Sequence, residues 1–319
     1  MSNVIDCKAN YIVMRQMLVG GVYLEGGDAL PGDSPLRGQP RKMEQFLRNS
    51  YITPGVGKPI TTSRVKRPAL VLQNIEGFVP PTVQEDVPLS ATGVTVVTLS
   101  YYKDIFERLR MSLETHEPEV RKVIVTSGDQ DGAEYENWLA VPGDVPFSFP
   151  SAANIGILAA GRDDVLLVND DCEFTEPMVG ILQGLCKQNP SIGLLSPQVD
   201  GDVGNHLQSA RMPITSPLTF SKQRLCFVCM YFPRTTIDRV GMLDEQFSGY
   251  GCDDSDYCMR VQRAGLQLAV TPLVRVKHGG FGELKCSSTF LRNMTTDEWK
   301  VSSLQMQDLL QRKWGGKAS

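Results

Sequence analysis

The chain has 319 residues, of which 41% are hydrophobic and 21% are charged, and its formal net charge is −4 at pH 7. This length accommodates one large domain and a smaller one, and the charge excludes a strong overall attraction to nucleic acid or to an anionic membrane. No apolar run reaches the roughly 20 residues that a membrane-spanning helix needs, and residues 1–10 lack the apolar core of a signal peptide. We therefore expect a cytoplasmic protein without membrane insertion.

The eight cysteines are scattered along the chain, and in the cytoplasm we expect them to be reduced. Cys226 and Cys229 have the spacing of half a zinc site, but no second pair follows at a usual interval, and both lie in an apolar run. Buried thiols are therefore the expectation for this pair.

The first 90 residues differ in composition from the rest of the chain. Short strands are predicted at residues 11–17 and 20–24 and a short helix at residues 41–49, before a stretch rich in proline and glycine. The pattern predicts a small β-rich accessory module over residues 1–60 and a linker over residues 61–90.

From residue 93 onward, strand patterns alternate with helix patterns. The strands are rich in β-branched and apolar residues, as buried parallel strands are. This alternation predicts an α/β domain with a mostly parallel central sheet, whose ligand lies beyond the carboxyl ends of the strands. The predicted strands cover residues 94–99, 122–126, 138–141, 164–168, 192–196 and 224–232, and the predicted helices cover residues 104–114, 152–160, 176–188, 235–240 and 257–264.

The strand at residues 164–168 runs directly into Asn169, Asp170 and Asp171. Adjacent carboxylates repel each other unless a cation or hydrogen-bond donors compensate them, and oxygen ligands suit Mg²⁺ or Mn²⁺. A divalent cation at this edge of the sheet would stabilise a diphosphate as a leaving group. The alternative is a helix N-cap, a position where aspartate is also favoured.

A second acidic cluster, Asp253, Asp254 and Asp256, precedes the helix predicted at residues 257–264. The helix macrodipole favours acidic residues there, but that effect explains one or two of them rather than three in four positions. A positioned carboxylate is able to take the proton of an acceptor hydroxyl as general base. His278, one of three histidines, follows a largely apolar stretch and precedes two glycines; taken alone, it is either structural or a ligand.

Between residues 94 and 280 these motifs resemble the GT-A glycosyltransferases, particularly the large inverting family 2. Residues 94–103 (VTVVTLSYYK) resemble the first strand and nucleotide-binding turn of that family, residues 123–132 (VIVTSGDQDG) its second strand and Asp-Gly loop, and residues 153–156 its Ala-x-Asn-x-Gly helix. In that family the donor of the transferred sugar is a nucleotide sugar. The resemblance implies that this donor is contacted by Ser100, Tyr101, Ser127, Asp131, Asn154, Asn169 and Asp170.

The resemblance also assigns the metal ligands. Asn169-x-Asp171 matches the metal motif of the family, which implies that Asp171 is a ligand of Mn²⁺ or Mg²⁺. The Val-x-His-Gly-Gly pattern around His278 is similar to the strand end that brings a further metal ligand or a diphosphate contact in many GT-A enzymes.

Residues 251–256 resemble the Gly-Glu-Asp-x-Asp signature of the same family. That resemblance implies Asp254 as the general base, Asp253 as the second candidate and Asp256 as a residue that orients its neighbours. The implied protein is a metal-dependent, inverting glycosyltransferase. Its catalytic domain would occupy residues 91–285, followed by a C-terminal helical extension over residues 286–319.

The chain departs from the family pattern at two positions. Thr126 and Ser127 stand where the family has an aspartate that holds the nucleobase. The identity of the nucleobase of the donor therefore stays open, with a UDP-sugar favoured. Asn169 replaces the first carboxylate of the metal motif, so Asp171 is the one carboxylate ligand expected from this turn.

Two other functions compete with an active glycosyltransferase. A sugar nucleotidyltransferase carries a glycine-rich, arginine-containing loop after its first strand, whereas residues 100–103 here are Ser-Tyr-Tyr-Lys. A non-catalytic nucleotide-sugar-binding module would not need Asp171, Asp254 and His278, all of which are present. Slow hydrolysis of nucleotide sugars with Mn²⁺ distinguishes the active transferase from both.

The acceptor stays open between a surface polysaccharide such as lipopolysaccharide or teichoic acid, a protein side chain and a hydroxymethylated DNA base. Residues 31–70 carry eight basic residues and two acidic ones, which suits either a solvated loop or a phosphate-rich partner such as DNA. The accessory module resembles small β-rich pieces of bacteriophage proteins, and a phage protein would act in the cytoplasm of its host. The sequence does not indicate an oligomeric state.

Overall fold

The computed structural model describes the backbone of four short strands between residues 11 and 54 and, beyond them, residues 90–144, 146–201, 203–279 and 295–315. The chain divides into two units, Met1–Val71 and Leu72–Ser319, and each is described by itself. The division falls within the predicted linker at residues 61–90, and the predicted bounds of the accessory module stay a prediction.

The described part of the first unit consists of β1 (Tyr11–Val13), β2 (Met17–Val19), β3 (Val22–Leu24) and β4 (Ile52–Pro54). β1 pairs antiparallel with β4, and β2 pairs antiparallel with β3. The helix predicted at residues 41–49 lies outside the described residues, as does nearly all of the basic stretch at residues 31–70.

Nine strands of the second unit form one sheet within its described residues. They are β5 (Val94–Ser100), β6 (Arg121–Thr126), β7 (Trp138–Pro142), β8 (Asp164–Asn169), β9 (Cys172–Phe174), β10 (Ile192–Gly201), β11 (Thr219–Ser221), β12 (Cys229–Phe232) and β13 (Gln267–His278). The strand order is β11-β13-β10-β12-β8-β5-β6-β7, and β9 pairs with β13 beside this series.

The predicted α/β class is confirmed, and the sheet is mixed. β8, β5, β6 and β7 run parallel to one another, and β10 runs parallel to β13. β12 is antiparallel to both of its neighbours, β8 and β10. β9 and β11 each pair antiparallel with β13. The predicted parallel arrangement therefore describes the strands that carry the donor motifs.

Six α-helices lie in the described part of the second unit: α1 (Lys103–His116), α2 (Phe149–Ala159), α3 (Val179–Gln188), α4 (Arg234–Val240), α5 (Asp253–Arg263) and α6 (Thr296–Trp314). None of these described helices is both long and apolar enough to cross a lipid bilayer. α5 begins earlier than predicted, so Asp253, Asp254 and Asp256 form its first turn instead of preceding it. α6 lies within the predicted C-terminal extension.

Helices cover both faces of the sheet around β5, which is buried over its whole length. Continuous apolar strands of this kind require cover on both sides. Val94 and Val96 share a hydrophobic cluster with Phe106 of α1, whereas Val97 points to the opposite face and contacts α2 at Gly156. The apolar strands predicted from the sequence therefore form the centre of a three-layer core.

The strand order reverses at β5, and this reversal places the site. The chain passes from β5 to β6 and β7 on one side, then returns to β8 on the other side of β5. In open α/β sheets, ligands bind at such a switch point, outside the carboxyl ends of the strands. Leu99 and Asn169 are register partners at the ends of β5 and β8. Ser100 and Asp170 therefore project from the same edge.

Candidate active site

Asp170 lies at the switch point and is held by Ser100. The Ser100 hydroxyl donates to Asp170 Oδ2 at 2.8 Å, and both residues are buried. Burial, together with the adjacent Asp171 carboxylate, raises the pKa of Asp170 to about 8, although the hydrogen bond from Ser100 acts in the opposite direction. An ionised Asp170 is therefore favoured by a compensating positive charge or by further hydrogen-bond donors at this edge of the sheet.

A hydrogen-bond relay leads from the partly buried Tyr135 to Asp170. The Tyr135 hydroxyl donates to Gln130 Oε1 at 2.6 Å, and Gln130 Nε2 donates to Ser100 Oγ at 3.0 Å. Gln130 is fully buried and lies in a 3₁₀ turn, Gly128–Gln130, after β6. Its role was not predicted from the sequence; the available signal was a polar residue inside the Asp-Gly loop that resembles the donor site.

Tyr101 packs against the loop after β6. Gly128 has φ +59°, and a Cβ there would lie 2.2 Å from the Tyr101 ring, so the ring needs glycine opposite it. The ring centroids of Tyr102 and Phe147 lie 4.9 and 6.4 Å from that of Tyr101. Burial raises the pKa of Tyr101, and Asp131 adds to this effect, which places Asp131 nearby. This aromatic surface beside the switch point is suited to stacking a nucleobase.

Ser127 directly follows β6, at the position where the family that the sequence motifs resemble has an aspartate. Its backbone N–H donates to the carbonyl of Ser100 at 3.0 Å, which joins the ends of β5 and β6. The Ser127 hydroxyl is fully buried and has no hydrogen-bond partner among the described residues. Contact between Ser127 and a donor base stays a prediction.

Asp171 and His278 lie side by side. His278 Nε2 is 3.2 Å from Asp171 Oδ1, and the backbone N–H of Gly279 donates to the Asp171 carbonyl at 3.0 Å. The antiparallel pairing of β9 with β13 produces this contact, because it places Cys172 opposite His278. The two metal ligands implied by the resemblance are therefore neighbours in the structure.

The side chains of Asp171 and His278 fit a divalent cation that also binds the substrate. The described residues contain no group of three His, Cys, Asp or Glu side chains arranged to hold a metal ion. A carboxylate and an imidazole supply two ligands, and Mg²⁺-type sites commonly use one or two carboxylates, several waters and substrate phosphates.

Asp253 and Asp254 lie at the start of α5, after a turn in which Gly251 and Cys252 have φ values of +82° and +70°. Burial raises the pKa of both carboxyls, and mutual repulsion raises that of Asp253 further. The backbone N–H of Ser255 donates to Asp254 Oδ1 at 2.6 Å. A partly buried carboxylate with a raised pKa has the properties required of a general base near neutral pH.

Asp256 differs from these two residues. Its side chain is fully buried and forms an ion pair with Arg260, with Arg260 Nε 2.9 Å from Asp256 Oδ2. Asp256 is thus enclosed by protein, and its role in orienting its neighbours stays a prediction.

Residues 224–228 connect the two acidic sites. Burial raises the pKa of Asp254, and the charge of Arg224 partly opposes this rise. Burial also raises the pKa of Cys226, and the charge of Asp254 adds to that rise, so Arg224 and Cys226 both interact with Asp254 electrostatically. At the other end, the carbonyl of Val228 accepts from the backbone N–H of Asn169 at 2.9 Å. Four residue steps span at most about 14 Å. Residues 224–228 therefore form a short connection between the surroundings of Asp254 and the end of β8 at Asn169.

The same residues correct two expectations. Only Cys229–Phe232 of the strand predicted at residues 224–232 is a strand; the first part is a loop, held by hydrogen bonds between the Gln208 amide and the backbone of Cys226. Cys229 is buried as predicted, whereas Cys226 is partly exposed, and both are free thiols.

Asn154, a predicted donor contact, has protein partners in the structure. Its Nδ2 donates to the Leu243 carbonyl at 3.0 Å and to Glu245 Oε1 at 2.9 Å, while its Oδ1 accepts from the Leu243 N–H at 2.9 Å. Asn154 thereby connects α2 with the chain that leads to α5. A contact between Asn154 and the donor stays a prediction.

Neither protein-family models nor curated proteins match the chain. Solved structures that match include GalNAc-T7 with UDP, GalNAc and Mn²⁺ (14% identity, TM-score 0.49) and the mannosyltransferase PcManGT from Pyrobaculum calidifontis with GDP-Man and Mn²⁺ (16% identity, TM-score 0.48). A third is TarS from S. aureus (15% identity, TM-score 0.45).

The three alignments cover 60%, 60% and 58% of this chain and 44%, 59% and 36% of the matched chains, in that order. The chain therefore aligns with less than two thirds of the length of each. The matched structures belong to the class of protein that the sequence motifs resemble, at likenesses too low to assign an activity to this chain.

Proposed function

We propose that the chain is a glycosyltransferase that uses a nucleotide-sugar donor and a divalent cation. The observation that supports this most is a pair of acidic sites linked by residues 224–228: Asp171 beside His278, and Asp253 with Asp254. A metal-assisted, inverting transfer of a sugar from a nucleoside diphosphate sugar to a hydroxyl uses two such sites. One compensates the charge of the leaving diphosphate, and the other activates the acceptor.

Asp171 and His278 are the residues that would hold Mn²⁺ or Mg²⁺. A cation bound there supplies positive charge for the departing diphosphate. Asp170, fixed by Ser100 and by the relay through Gln130, would accept a hydrogen bond from a ribose or sugar hydroxyl of the donor.

Asp254 would act as the general base, with Asp253 as the second candidate. The carboxylate takes the proton of the acceptor hydroxyl while the acceptor oxygen bonds to the anomeric carbon and the bond from that carbon to the diphosphate oxygen breaks. This single displacement inverts the configuration at the anomeric carbon. Burial raises the pKa of Asp254, which makes the carboxylate a stronger base than an exposed aspartate.

The proposed donor is a UDP-sugar, a hexose or a pentose, whose base stacks beside Tyr101. The proposed acceptor is a hydroxymethylated DNA base or a surface polysaccharide. We propose a cytoplasmic location, which becomes the host cytoplasm if the protein is of phage origin. The basic composition of residues 31–70 supports a phosphate-rich acceptor.

The first experiment is a screen of UDP-, GDP- and other nucleotide sugars for thermal stabilisation, with Mn²⁺, with Mg²⁺ and with a chelator. A ligand that binds only the folded state raises the melting temperature, so we expect a cation-dependent increase with at least one donor. The same mixtures are then assayed for slow release of nucleoside diphosphate and free sugar.

The outcomes separate the competing functions. Binding with turnover supports the transferase, and binding without turnover indicates a non-catalytic module. Release of pyrophosphate from a nucleoside triphosphate and a sugar phosphate would indicate a nucleotidyltransferase. If no donor binds with either cation, the proposal is wrong.

A further inference from the structure

Helix α6 lies along the chain that carries the second acidic cluster. Residues 244–256 are called the acidic segment below; they include Asp244 at one end and the first turn of α5 at the other. α6 contacts this segment through side chains from Trp299 to Trp314. These contacts were not predicted from the sequence.

The last turn of α6 joins the two ends of the acidic segment. Lys313 Nζ lies 2.7 Å from Asp244 Oδ2 and 2.8 Å from Asp256 Oδ1, and the Lys313 side chain is only 12% exposed. Trp314 Nε1 donates to the same Asp256 oxygen at 2.9 Å. With Arg260, three side chains therefore donate to the buried Asp256 carboxylate, and two of them belong to α6.

The first half of α6 contacts the middle of the acidic segment. Ser302 Oγ accepts from the backbone N–H of Tyr250 at 2.9 Å, and the rings of Tyr250 and Trp299 have centroids 5.5 Å apart. A Cβ on Gly249 would lie 2.6 Å from Ser302 Oγ, so only glycine permits this close approach. These contacts immediately precede the turn at Gly251 that leads into Asp253.

Apolar packing does not explain the position of α6. Among its 19 residues, the helix buries only Leu310, whereas Val301 and Leu304 are 55% and 64% exposed. Its closest contacts to the acidic segment are hydrogen bonds and ion pairs. Buried ion pairs are weak stabilisers compared with apolar packing, and their best-supported use is to fix one arrangement of the groups that they join.

We infer that α6 is a positioning element of the candidate active site and that Lys313 is its principal positioning residue. By holding Asp244 and Asp256 together, Lys313 fixes the first turn of α5, from which Asp253 and Asp254 project. Lys313 acts through Asp256 and is not a catalytic residue. This inference rests on the proposed function, because it takes Asp254 as the base that activates the acceptor.

The test compares three variants of the full chain. Lys313→Met removes the charge and keeps most of the side-chain length, whereas Lys313→Arg keeps the charge. Arg312→Met is the matched control: it removes a charge from the same helical turn, but Arg312 is 69% exposed and pairs with Asp308 of α6 itself. For each variant we would measure amide hydrogen exchange by mass spectrometry, the affinity for UDP with Mn²⁺, and kcat for hydrolysis of the nucleotide sugar that the unaltered chain turns over.

In Lys313→Met we expect amides of the acidic segment to exchange about tenfold faster, because local opening becomes easier. We expect kcat to fall by about 10- to 100-fold, since small misplacement of a catalytic group has effects of this size. UDP affinity should not change, because the donor contacts lie at the ends of β5, β6 and β8. Lys313→Arg should retain most of the activity, and Arg312→Met should match the unaltered chain.

Unchanged exchange in the acidic segment, or unchanged kcat, in Lys313→Met would overturn the inference. So would an equal loss of UDP affinity and kcat, because that pattern indicates general loosening of the fold. Absence of nucleotide binding by the unaltered chain would instead count against the proposed function, and this is decided before any variant is compared.

Discussion

Asp171 and His278 form the most direct link between the sequence motifs and the geometry. Their side chains are 3.2 Å apart, although Asp171 follows β8 and His278 ends β13. The neighbouring Asp170 carboxyl has a raised pKa. The Ser100 hydroxyl donates to Asp170, and the His278 imidazole lies beside Asp171. A bound cation together with donor phosphates would complete this charge arrangement.

Replacement of Asp171 by alanine should abolish cation-dependent nucleotide binding and leave the fold intact. The reason is the loss of the carboxylate that lies 3.2 Å from His278. Titration calorimetry with UDP and Mn²⁺ measures the effect, and we expect affinity to fall at least about tenfold, or about 1.4 kcal/mol. Asp238→Ala is the control, since that carboxylate is 48% exposed and pairs with Arg234. Equal affinities in the two variants would contradict the assignment of Asp171.

Replacement of Asp254 by asparagine should leave donor binding unchanged and reduce transfer. Removal of a general base typically costs about 10²–10⁴-fold in rate, and asparagine keeps the size and hydrogen-bonding capacity of the side chain. Donor affinity and kcat are measured on the same preparation, in parallel with Asp253→Asn. If Asp253→Asn is the inactive variant and Asp254→Asn is active, the assignment within the pair is reversed.

The acidic pair should also make stability depend on pH. Burial and the neighbouring Asp254 raise the pKa of Asp253 above its ordinary value of 3.8, so the folded state holds this proton more tightly than the unfolded state does. The associated stability is fully present below about pH 4 and is lost as pH rises toward the folded-state pKa. An asparagine cannot ionise and avoids this loss.

We therefore expect Asp253→Asn to melt at a higher temperature than the unaltered chain at pH 8.5 and at nearly the same temperature at pH 4. Thermal unfolding followed by circular dichroism at both pH values measures this difference. Asp297→Asn serves as the control, because Asp297 is 94% exposed. A shift that is equal at the two pH values would show that ionisation of Asp253 is not the cause.

At the scale of secondary-structure elements, the parallel strands were predictable because their signal is local. β5, β6 and β8 begin and end within one residue of the predicted ranges. Each is an apolar, β-branched run bounded by polar residues, and such a run has few alternatives to a buried strand. The sequence also predicted that the ligand lies beyond their carboxyl ends, and Ser100 and Asp170 meet at that edge of the sheet.

The remaining elements depend on contacts that the local sequence does not encode. The apolar run at Cys229–Phe232 predicts a strand but not its antiparallel insertion between β8 and β10. The first turn of α5 consists of three aspartates and Ser255. These residue types have lower helix propensity than alanine or leucine, so the predicted start was too late. Gln130 and Lys313 could not be recognised, because their roles arise from partners far away in sequence.

At the scale of the whole molecule, the predicted donor contacts all lie in the second unit. A chain that begins at Leu72 should therefore bind UDP with Mn²⁺ as tightly as the full chain, which calorimetry on both will measure. We expect residues 1–71 to contribute to the acceptor instead. If the acceptor is nucleic acid, the affinity of the full chain for it should fall steeply with salt. A plot of log affinity against log salt concentration should have a slope of roughly −1 for each phosphate contact. Loss of UDP binding in the shortened chain would place part of the donor site in the first unit.

The pairing of β9 with β13 has a consequence for the order in which the protein acquires activity. Asp171 meets His278 only after the long stretch of chain between them has folded, because Cys172 and His278 are register partners. Non-local pairings of this kind are slow to form. During synthesis, the acidic turn would be complete well before its imidazole partner leaves the ribosome. Tight cation binding should therefore appear late in refolding, and together with nucleotide it should favour the finished fold by mass action.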